Sequence, residues 1–208
     1  TNGLKEFNPG HLKSRKEKLA FWINLYNTIV VDGIITLKIK NSVKEAPEFF
    51  KKIYYQIGDT LFSPDDIEHG ILRGNVRPYF RPIRQFRAGD TRRAWILKPV
   101  DPRIHFALVC GSRSCAPIDY YDSEKIGLQL DKAAKSFINS SEVLILPEEG
   151  KILISEIFRW YEKDFKGRDG ILDFILKFLV DDRAKDFIRR ERRKLKIEYL
   201  HYDWNLNR

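Results

Sequence analysis

Two cysteines and two histidines are the side chains of this sequence best suited to chemistry. Cys110 and Cys115 lie in the segment CGSRSCAP, directly after the apolar run RIHFALV, which contains His105. His69 lies in a separate segment, IEHGILR. A cysteine thiolate is a strong nucleophile, and a histidine can accept and return the proton that such chemistry moves. These residue types support the hypothesis of a thiol-dependent acyl transfer in which Cys110 attacks a carbonyl carbon.

The loop that follows Cys110 contains groups that favour a thiolate. Gly111 permits an unusual backbone turn in which successive N–H groups form an anion-binding nest. A nearby arginine lowers the pKa of a thiol, and backbone donors can serve as an oxyanion hole. The alternative interpretation is that Cys110 is a small buried residue at the end of a strand. The candidate binding residues of the loop are Ser112, Arg113, Ser114 and Cys115.

The spacing of the two cysteines leaves one further chemistry open and excludes another. The four residues between Cys110 and Cys115 can fold back, so the two thiols can form a redox pair. A tyrosine-phosphatase loop requires an arginine six positions after its cysteine, whereas Arg113 follows Cys110 by three. We therefore exclude the phosphatase and keep the redox pair as an alternative.

Either histidine is a candidate base. If residues 103–109 form one strand, His105 and Cys110 are ~17 Å apart at ~3.3 Å per residue and point to opposite faces. His105 is then a poor partner for Cys110 unless the strand is broken or bulged. His69 lies on a predicted helix that begins at Ser63, where Glu68 can orient its imidazole. The alternative is that His69 and Arg73 only tie this helix to the core through hydrogen bonds.

Asn24 and Asn27 are polar residues on one side of an otherwise apolar helix. Buried amides cost free energy unless they are hydrogen-bonded, so both must meet backbone, each other or a ligand. They are therefore candidate residues of a binding site. A structural role, in which they fix the positions of neighbouring segments, is the slightly favoured interpretation.

The arrangement of predicted elements favours one α+β domain over residues 1–208. It combines a long central apolar helix, a small mixed or antiparallel sheet and a helical C-terminal part. The segments KIYYQIGDTLF and VLILPEEGKILIS alternate around turn residues and predict two hairpins, and KIEYLHYDW predicts a closing strand. RIHFALV is short, apolar and rich in strand formers, which predicts a buried strand.

Composition excludes several classes of protein. The chain of 208 residues is 43% hydrophobic and 13% aromatic, which excludes a disordered chain. Its two cysteines exclude a disulfide-rich fold, and their spacing is not that of a structural zinc site. The stretch 19–37 is long enough to span a membrane but contains Asp32, and a central Asp costs about 2.5–3.5 kcal/mol on insertion. We interpret it as a core helix and expect no membrane span.

The net charge of +9 comes from two basic segments. Residues 183–196 are typical of a solvated helix face. In residues 73–98, aromatic residues alternate with arginine in RPYFRPIRQFR, a pattern that can follow a phosphate backbone and stack on bases. A basic loop over the core is the favoured interpretation, because the chain has no recognised nucleic-acid motif.

Four signatures together carry a family resemblance. They are KLAFWINLYN, IEHGILR, HFALVCGSRSCAP and the closing YDW. In this order and spacing the sequence resembles, from about Lys18 onward, the family catalogued as domain of unknown function 547. The resemblance implies little chemistry. It suggests a distant relation to the papain/transglutaminase-like folds, and a likeness of fold does not assign a function.

These features support three hypotheses of function. The first is a ligand-binding or interaction module for a small molecule or a protein, with a polar cluster of Asn, Glu, His and Cys. The second is a thiol-dependent hydrolase or acyl transferase with Cys110 as nucleophile, His69 or His105 as base and Glu68 as its orienting partner. The third is nucleic-acid binding through residues 73–98. We expect neither a cofactor nor a metal ion.

Overall fold

The structure is a computed structural model that describes residues 2–79 and 81–207. It contains about 48% helix and 11% strand, and the predicted α+β class is confirmed. The α-helices are α1 (Asn2–Lys5), α2 (Arg15–Thr36), α3 (Phe49–Lys52), α4 (Ile126–Ile138), α5 (Glu156–Trp160), α6 (Gly167–Phe178) and α7 (Asp182–Glu191). The strands are β1 (Tyr55–Ile57), β2 (Thr60–Phe62), β3 (Val143–Leu146), β4 (Lys151–Ser155) and β5 (Lys196–Leu200). A π-helix spans Asp66–Leu72, and 3-10 helices include Thr91–Trp95 and Pro102–Phe106.

Helix α2 is the predicted long apolar helix. It begins at a capping box, in which the Ser14 hydroxyl accepts the N–H of Glu17 and the Glu17 carboxylate accepts the N–H of Ser14. Among the described helices it alone is long and apolar enough to cross a membrane, and 56% of its most apolar window is buried inside the fold. Core helices of globular proteins have the same composition, because they bury almost every face.

The two predicted hairpins and the closing strand are confirmed. Strands β1 and β2 pair antiparallel around Gly58, whose φ of 56° is the left-handed conformation that the turn requires. Strands β3 and β4 pair antiparallel, and β5 adds to β4 in parallel register. The second sheet therefore has the order β3-β4-β5, which places the C-terminal segment beside the middle of the chain.

The buried hydrophobic residues form two clusters. The first packs around α2, the β1–β2 hairpin and the π-helix. The second packs around the three-stranded sheet and the helices α4 to α7. Residues 104–108 contribute to both, because Ile104 and Leu108 lie in the first cluster and Phe106 in the second. This segment therefore runs along the boundary between them.

The predicted strand at 103–109 is wrong, because residues Pro102–Phe106 form a 3-10 helix. Asp101 caps it by accepting the N–H of Arg103 at 3.1 Å, and Pro102 occupies its first position. The backbone groups of the residues that follow have hydrogen-bond partners without a neighbouring strand. Asn27 donates to the carbonyl of Ala107 at 3.0 Å and accepts the N–H of Val109 at 2.9 Å. One buried amide side chain thus satisfies the backbone groups that a partner strand would have bound.

The predicted helix at 63–74 begins where expected but is not an α-helix in its main part. Ser63 and Asp66 cap each other reciprocally, which confirms the predicted start. The N–H of Arg73 donates to the carbonyl of Glu68 at 2.8 Å, five residues back, which is the spacing of a π-helix. Single π turns of this kind are frequent at functional sites. This one carries the buried side chains of Glu68 and His69.

The absence of a side chain at Gly70 is required by the packing of the π-helix. A Cβ atom at this position would lie 2.2 Å from Cζ of Phe86, which is itself fully buried. We predict that Gly70→Ala destabilises the protein by at least about 1–3 kcal/mol, the usual cost of overpacking. Urea denaturation measures the effect, with Gly127→Ala as the control because nothing lies within 4 Å of a Cβ there. Equal stability of the two variants would contradict the packing described.

Candidate functional site

A cavity of about 340 Å³ brings the predicted reactive residues together. We call it the aromatic cavity, because seven of its lining residues are Tyr, Phe or Trp. Cys110, Cys115, Glu68, His69 and His105 all line it. Its remaining lining residues are Tyr26, Phe50, Asp65, Tyr79, Leu108, Ile157, Trp160, Tyr161, Tyr202 and Trp204. A larger groove of about 700 Å³ lies between β3 and α7 and contains none of the predicted residues.

The prediction that His105 and Cys110 point to opposite faces assumed that residues 103–109 form a strand. Because that strand is absent, this prediction fails as well. The 3-10 helix shortens and turns the segment, so that both residues line the aromatic cavity. Beyond it, Gly111 adopts a φ of 83°, as the predicted unusual turn requires. The distance and facing argument against His105 therefore does not apply to the folded chain.

The thiol of Cys110 is surrounded by hydrogen-bonding groups. Its Sγ lies 3.1 Å from Oγ of Ser112 and 3.1 Å from the hydroxyl of Tyr202. Cys115, followed by Ser112 and Tyr202, lowers the pKa of the Cys110 thiol below its ordinary value, although burial opposes this effect. Cys110 is therefore the thiol of the pair that ionises more readily.

Tyr202 stays protonated next to this thiol. Burial, followed by the negative charge of Cys110, raises the pKa of the Tyr202 hydroxyl above its ordinary value. The hydroxyls of Ser112 and Tyr202 also lie 2.9 Å apart, so each holds the other in place. Tyr202 is therefore a fixed O–H donor at the sulfur of Cys110.

Cys115 differs from Cys110 in both burial and charge state. It is buried, whereas Cys110 is partly exposed, and both are free thiols. Its Sγ accepts the N–H of Cys110 at 3.1 Å and lies 3.3 Å from the carbonyl oxygen of Leu108. The hydrogen bond with Cys110 and burial raise the pKa of Cys115 well above its ordinary value. The pair therefore consists of one thiol that ionises readily and one that stays protonated.

A buried ion pair lies behind the two histidines. The Arg73 guanidinium binds the Asp164 carboxylate through Nε at 2.5 Å and through a terminal nitrogen at 3.2 Å. Both side chains are 1% exposed. Burial raises the pKa of Asp164, but hydrogen bonds from His105 and Arg73 outweigh it and lower the pKa to about 2. Asp164 is therefore a carboxylate at every pH at which the protein is expected to work.

His105 is oriented by this carboxylate. Its Nε2 lies 2.9 Å from Oδ2 of Asp164, and because a carboxylate only accepts, Nε2 carries the proton. The ring stacks on Tyr161 with centroids 3.8 Å apart and an interplanar angle of 14°. In the neutral ring, Nδ1 then carries the lone pair. This is the arrangement of a histidine base with an anchoring acid.

Arg73 makes a ring nitrogen of His69 a hydrogen-bond acceptor, whereas Asp164 makes a ring nitrogen of His105 a donor. A terminal nitrogen of Arg73 lies 2.9 Å from Nδ1 of His69, and since a guanidinium only donates, Nδ1 accepts. Burial, and then repulsion by Arg73, lower the pKa of His69 from 6.5 to about 3. His69 is therefore neutral, with its proton on Nε2, and it is a donor rather than a base at neutral pH.

The acidic residues of the cavity have partners of their own. Glu68 accepts a hydrogen bond from the hydroxyl of Tyr161 at 2.6 Å, and its Oε1 lies 3.6 Å from Nδ1 of His69. Asp65 accepts from Arg81 at 3.1 Å, and burial raises its pKa. Burial also raises the pKa of Tyr161, and the nearby Glu68 carboxylate adds to this effect. Glu68 therefore positions Tyr161, the ring on which His105 stacks.

The two predicted asparagines bind backbone and do not line the aromatic cavity. Asn27 holds Ala107 and Val109, as described for the fold. Asn24 donates to the carbonyl of Tyr121 at 2.7 Å and accepts its N–H at 2.9 Å. Asn27 thus acts on the site indirectly, because it shapes the segment between His105 and Cys110.

The remaining predicted loop residues lie around the thiol pair without lining the aromatic cavity. Ser112 binds Cys110 and Tyr202, and the Ser114 hydroxyl accepts the N–H of Asp203 at 3.1 Å. The Arg113 side chain is 62% exposed and lies 3.8 Å from the Asp203 carboxylate. Arg113 is absent from the groups that lower the pKa of Cys110. The hydroxyls and the second thiol, rather than the arginine, stabilise the thiolate.

The basic segment 73–98 contributes charge to the interior as well as to the surface. Arg73 is fully buried, and Arg81 and Arg92 pair with Asp65 and Asp66 at 3.1 and 3.0 Å. Phe80, one of its interleaved aromatic residues, lies outside the described residues. Within residues 2–79 and 81–207, no group of three or more His, Cys, Asp or Glu residues is arranged to hold a metal ion.

Three residues that bind the reactive side chains directly were not among the predicted ones. They are Tyr161, Asp164 and Tyr202, and all three come from the last third of the chain. Tyr202 was visible only as part of the closing YDW motif. Asp164 lies in WYEKDFKGRD, where six of the ten residues are charged, three acidic and three basic, so nothing local distinguishes it from a solvated carboxylate.

Comparison with known proteins gives one match. The model of a family described as "Protein of unknown function, DUF547" matches residues 9–138. No curated protein and no solved structure matches the chain. The matched range contains His69, His105 and both cysteines, and it ends before Asp164 and Tyr202.

The buried pair of Arg73 and Asp164 predicts a strong effect on stability. We expect Arg73→Met and Asp164→Leu each to lower the free energy of unfolding by about 3–5 kcal/mol, since each leaves a buried charge without its partner. In the double variant, the free energy of unfolding should fall by clearly less than the sum of the losses in the two single variants. Urea denaturation of the four proteins gives the cycle. Arg189→Met is the control, because its ion pair with Asp186 is exposed and should contribute almost nothing. Additive losses would contradict a direct pairing.

The state of the two thiols predicts their reactivity. With iodoacetamide, Cys110 should be alkylated before Cys115, and the rate should rise with pH around a midpoint below the ordinary thiol value. Tyr202→Phe removes a donor to the thiolate, so the midpoint should move upward by about one unit. Mass spectrometry of peptides after timed labelling measures both. Equal inertness of the two cysteines, or a midpoint near the ordinary value of about 8.5, would contradict the geometry.

Proposed function

The chain belongs to the DUF547 family of proteins of unknown function, and from its family signatures and cavity we propose that it is a thiol-dependent hydrolase or acyl transferase. Cys110 is the nucleophile in this proposal. The observation that carries it is the common position of a stabilised thiolate and an anchored histidine on one cavity. Separate or fully enclosed positions for these residues would have favoured a non-catalytic module.

The proposed step is an acyl transfer through a thioester. The Cys110 thiolate attacks the carbonyl carbon of an ester or amide, and the electron pair of the C=O bond moves to its oxygen. Collapse of this intermediate breaks the bond to the leaving alkoxide or amine, which takes up a proton. Water or an acceptor amine then attacks the thioester, loses a proton, and releases Cys110 as a thiolate.

His105 is the residue proposed to move these protons. Asp164 anchors one ring nitrogen and stabilises the imidazolium that forms when the other accepts a proton. His69 does not fit this role, because its pKa of about 3 leaves it neutral throughout the cycle. The O–H of Tyr202, which lies 3.1 Å from the sulfur of Cys110, is instead the proposed donor to a developing oxyanion.

The lining of the cavity supports an uncharged or cationic substrate. Asp65 and Glu68 line it together with the Cys110 thiolate, and the buried Arg73 is already paired with Asp164. An anionic acyl group would meet net negative charge at this position. The aromatic side chains, among them the contacting rings of Trp160, Tyr202 and Trp204, offer faces to an apolar or cationic group.

A ligand-binding module is the second candidate. One observation favours it: Glu68, His69 and His105 are all at least nine-tenths buried and already hydrogen-bonded to protein groups. Such a network can have a purely structural role, in which it fixes the shape of a pocket. In that case the cavity would bind a neutral or cationic ligand without forming a covalent bond to Cys110.

A test of acyl transfer uses p-nitrophenyl acetate, a small uncharged ester. We predict a burst of one p-nitrophenolate per protein and an acetyl group on Cys110, detected by mass spectrometry. Cys110→Ala should abolish the burst. His105→Gln should slow the hydrolysis of the acetyl-Cys110 thioester, in which water must lose a proton, by about 10²-fold or more, the usual contribution of a positioned acid or base.

Two controls make this result specific. Cys115→Ser keeps a hydroxyl donor beside Cys110 and should keep the burst. Arg189→Met changes an exposed charge far from the cavity lining and should react as the unaltered protein. An acetyl group found elsewhere than on Cys110, or the same rate of thioester hydrolysis in His105→Gln as in the unaltered protein, would reject the enzyme and leave the binding module.

A further inference from the structure

We propose that Cys110 and Cys115 form a dithiol pair that reduces low-molecular-weight disulfides and closes to an intrachain disulfide. This activity goes beyond the proposed acyl transfer. It shares Cys110 as the attacking group but uses Cys115 as a second attacking group, a role that the acyl transfer does not contain. Thiol–disulfide exchange therefore has its own residue requirement and its own product.

The first argument is the proximity of the two sulfurs. Sγ of Cys115 accepts the backbone N–H of Cys110 at 3.1 Å, so it lies beside the residue that carries the other sulfur. The loop between them is folded back by a turn, in which the N–H of Cys115 donates to the carbonyl of Ser112 at 3.1 Å. Rotation of the two side chains is the movement needed to bring the sulfurs to bonding distance.

The second argument is the asymmetry of the pair. Both cysteines line the aromatic cavity, but Cys110 is partly exposed whereas Cys115 is buried, with 9% of its surface exposed. A dithiol that reduces disulfides needs one accessible thiolate to attack and one protected thiol to resolve. Protection matters because an exposed second thiol would react with the substrate instead of with the mixed disulfide. The positions of Cys110 and Cys115 match these two requirements.

The surroundings support the same division of roles. Tyr202 and Ser112 contact the sulfur of Cys110 and can stabilise it each time it becomes a thiolate. Cys115 lies 3.3 Å from the carbonyl oxygen of Leu108, an acceptor that favours the protonated thiol.

The exchange balances in two steps. The Cys110 thiolate attacks one sulfur of a disulfide RSSR, which forms a Cys110–SR bond and releases RS⁻. The Cys115 thiol then attacks the sulfur of Cys110, which forms the Cys110–Cys115 disulfide and releases the second RS group as RSH with the proton of Cys115. The substrate is reduced to two thiols and the protein pair is oxidised. An added dithiol such as dithiothreitol returns it to the starting state.

The experiment uses bis(2-hydroxyethyl) disulfide, which is small and uncharged, with the whole protein and its variants. After excess reagent is removed, mass spectrometry without reduction identifies the product. The unaltered protein should lose two hydrogen atoms and retain no adduct. Cys115→Ser should retain one hydroxyethylthio group on Cys110, because nothing resolves it. Cys110→Ser should remain unmodified, because Cys115 is buried.

Turnover gives a second measurement. With dithiothreitol present, the unaltered protein should accelerate reduction of the reagent, and Cys115→Ser should fall to the background rate. A stable adduct on the unaltered protein, adducts on both cysteines, or two free thiols after exposure would each overturn the inference.

These outcomes are separate from those of acyl transfer. Loss of two hydrogen atoms from the protein reports the exchange, whereas an acetyl group on Cys110 reports the acyl transfer. Disulfide formation without any acetylation of Cys110 would support the dithiol pair and reject the acyl transferase.

Discussion

The buried ion pair between Arg73 and Asp164 is the interaction on which the site depends. It joins the end of the π-helix to the segment after α5, and both side chains are 1% exposed. Arg73 also sets the proton position of His69, and Asp164 sets that of His105. Two histidines of the same cavity therefore have opposite properties. One is a neutral donor and the other is an anchored base, because one lies against a cation and the other against a carboxylate.

The thiol end of the cavity follows a different principle from the histidine end. No full charge of opposite sign stabilises the Cys110 thiolate. Hydroxyl and thiol donors do so, from Ser112, Tyr202 and Cys115. Such donors are neutral, so they do not offset the charge of a Cys110 thiolate or of Glu68, which lines the same cavity. In the proposed enzyme this arrangement disfavours anionic ligands, and it places the second thiol beside the first.

Much of the fold was predictable because its signals are local. The turn residues of both hairpins and the Ser63 cap act within a few residues, and these predictions are confirmed. The strand at 103–109 failed because its apolar pattern fits any buried segment. What decides its conformation is Asn27, about eighty residues earlier in the chain, which binds the backbone that a strand neighbour would bind. No pattern within the segment contains that information.

The sequence by itself determined which side chains can react. It identified Cys110, Cys115, His69, His105 and Glu68 as candidates from residue type and local spacing, and they share one cavity. The tertiary structure alone decided their chemical states. A pKa or a tautomer depends on burial and on partners within a few ångströms, and the decisive partners Asp164, Tyr161 and Tyr202 come from 59 to 93 residues away in the chain. Folding brings them into contact, whereas spacing along the chain does not.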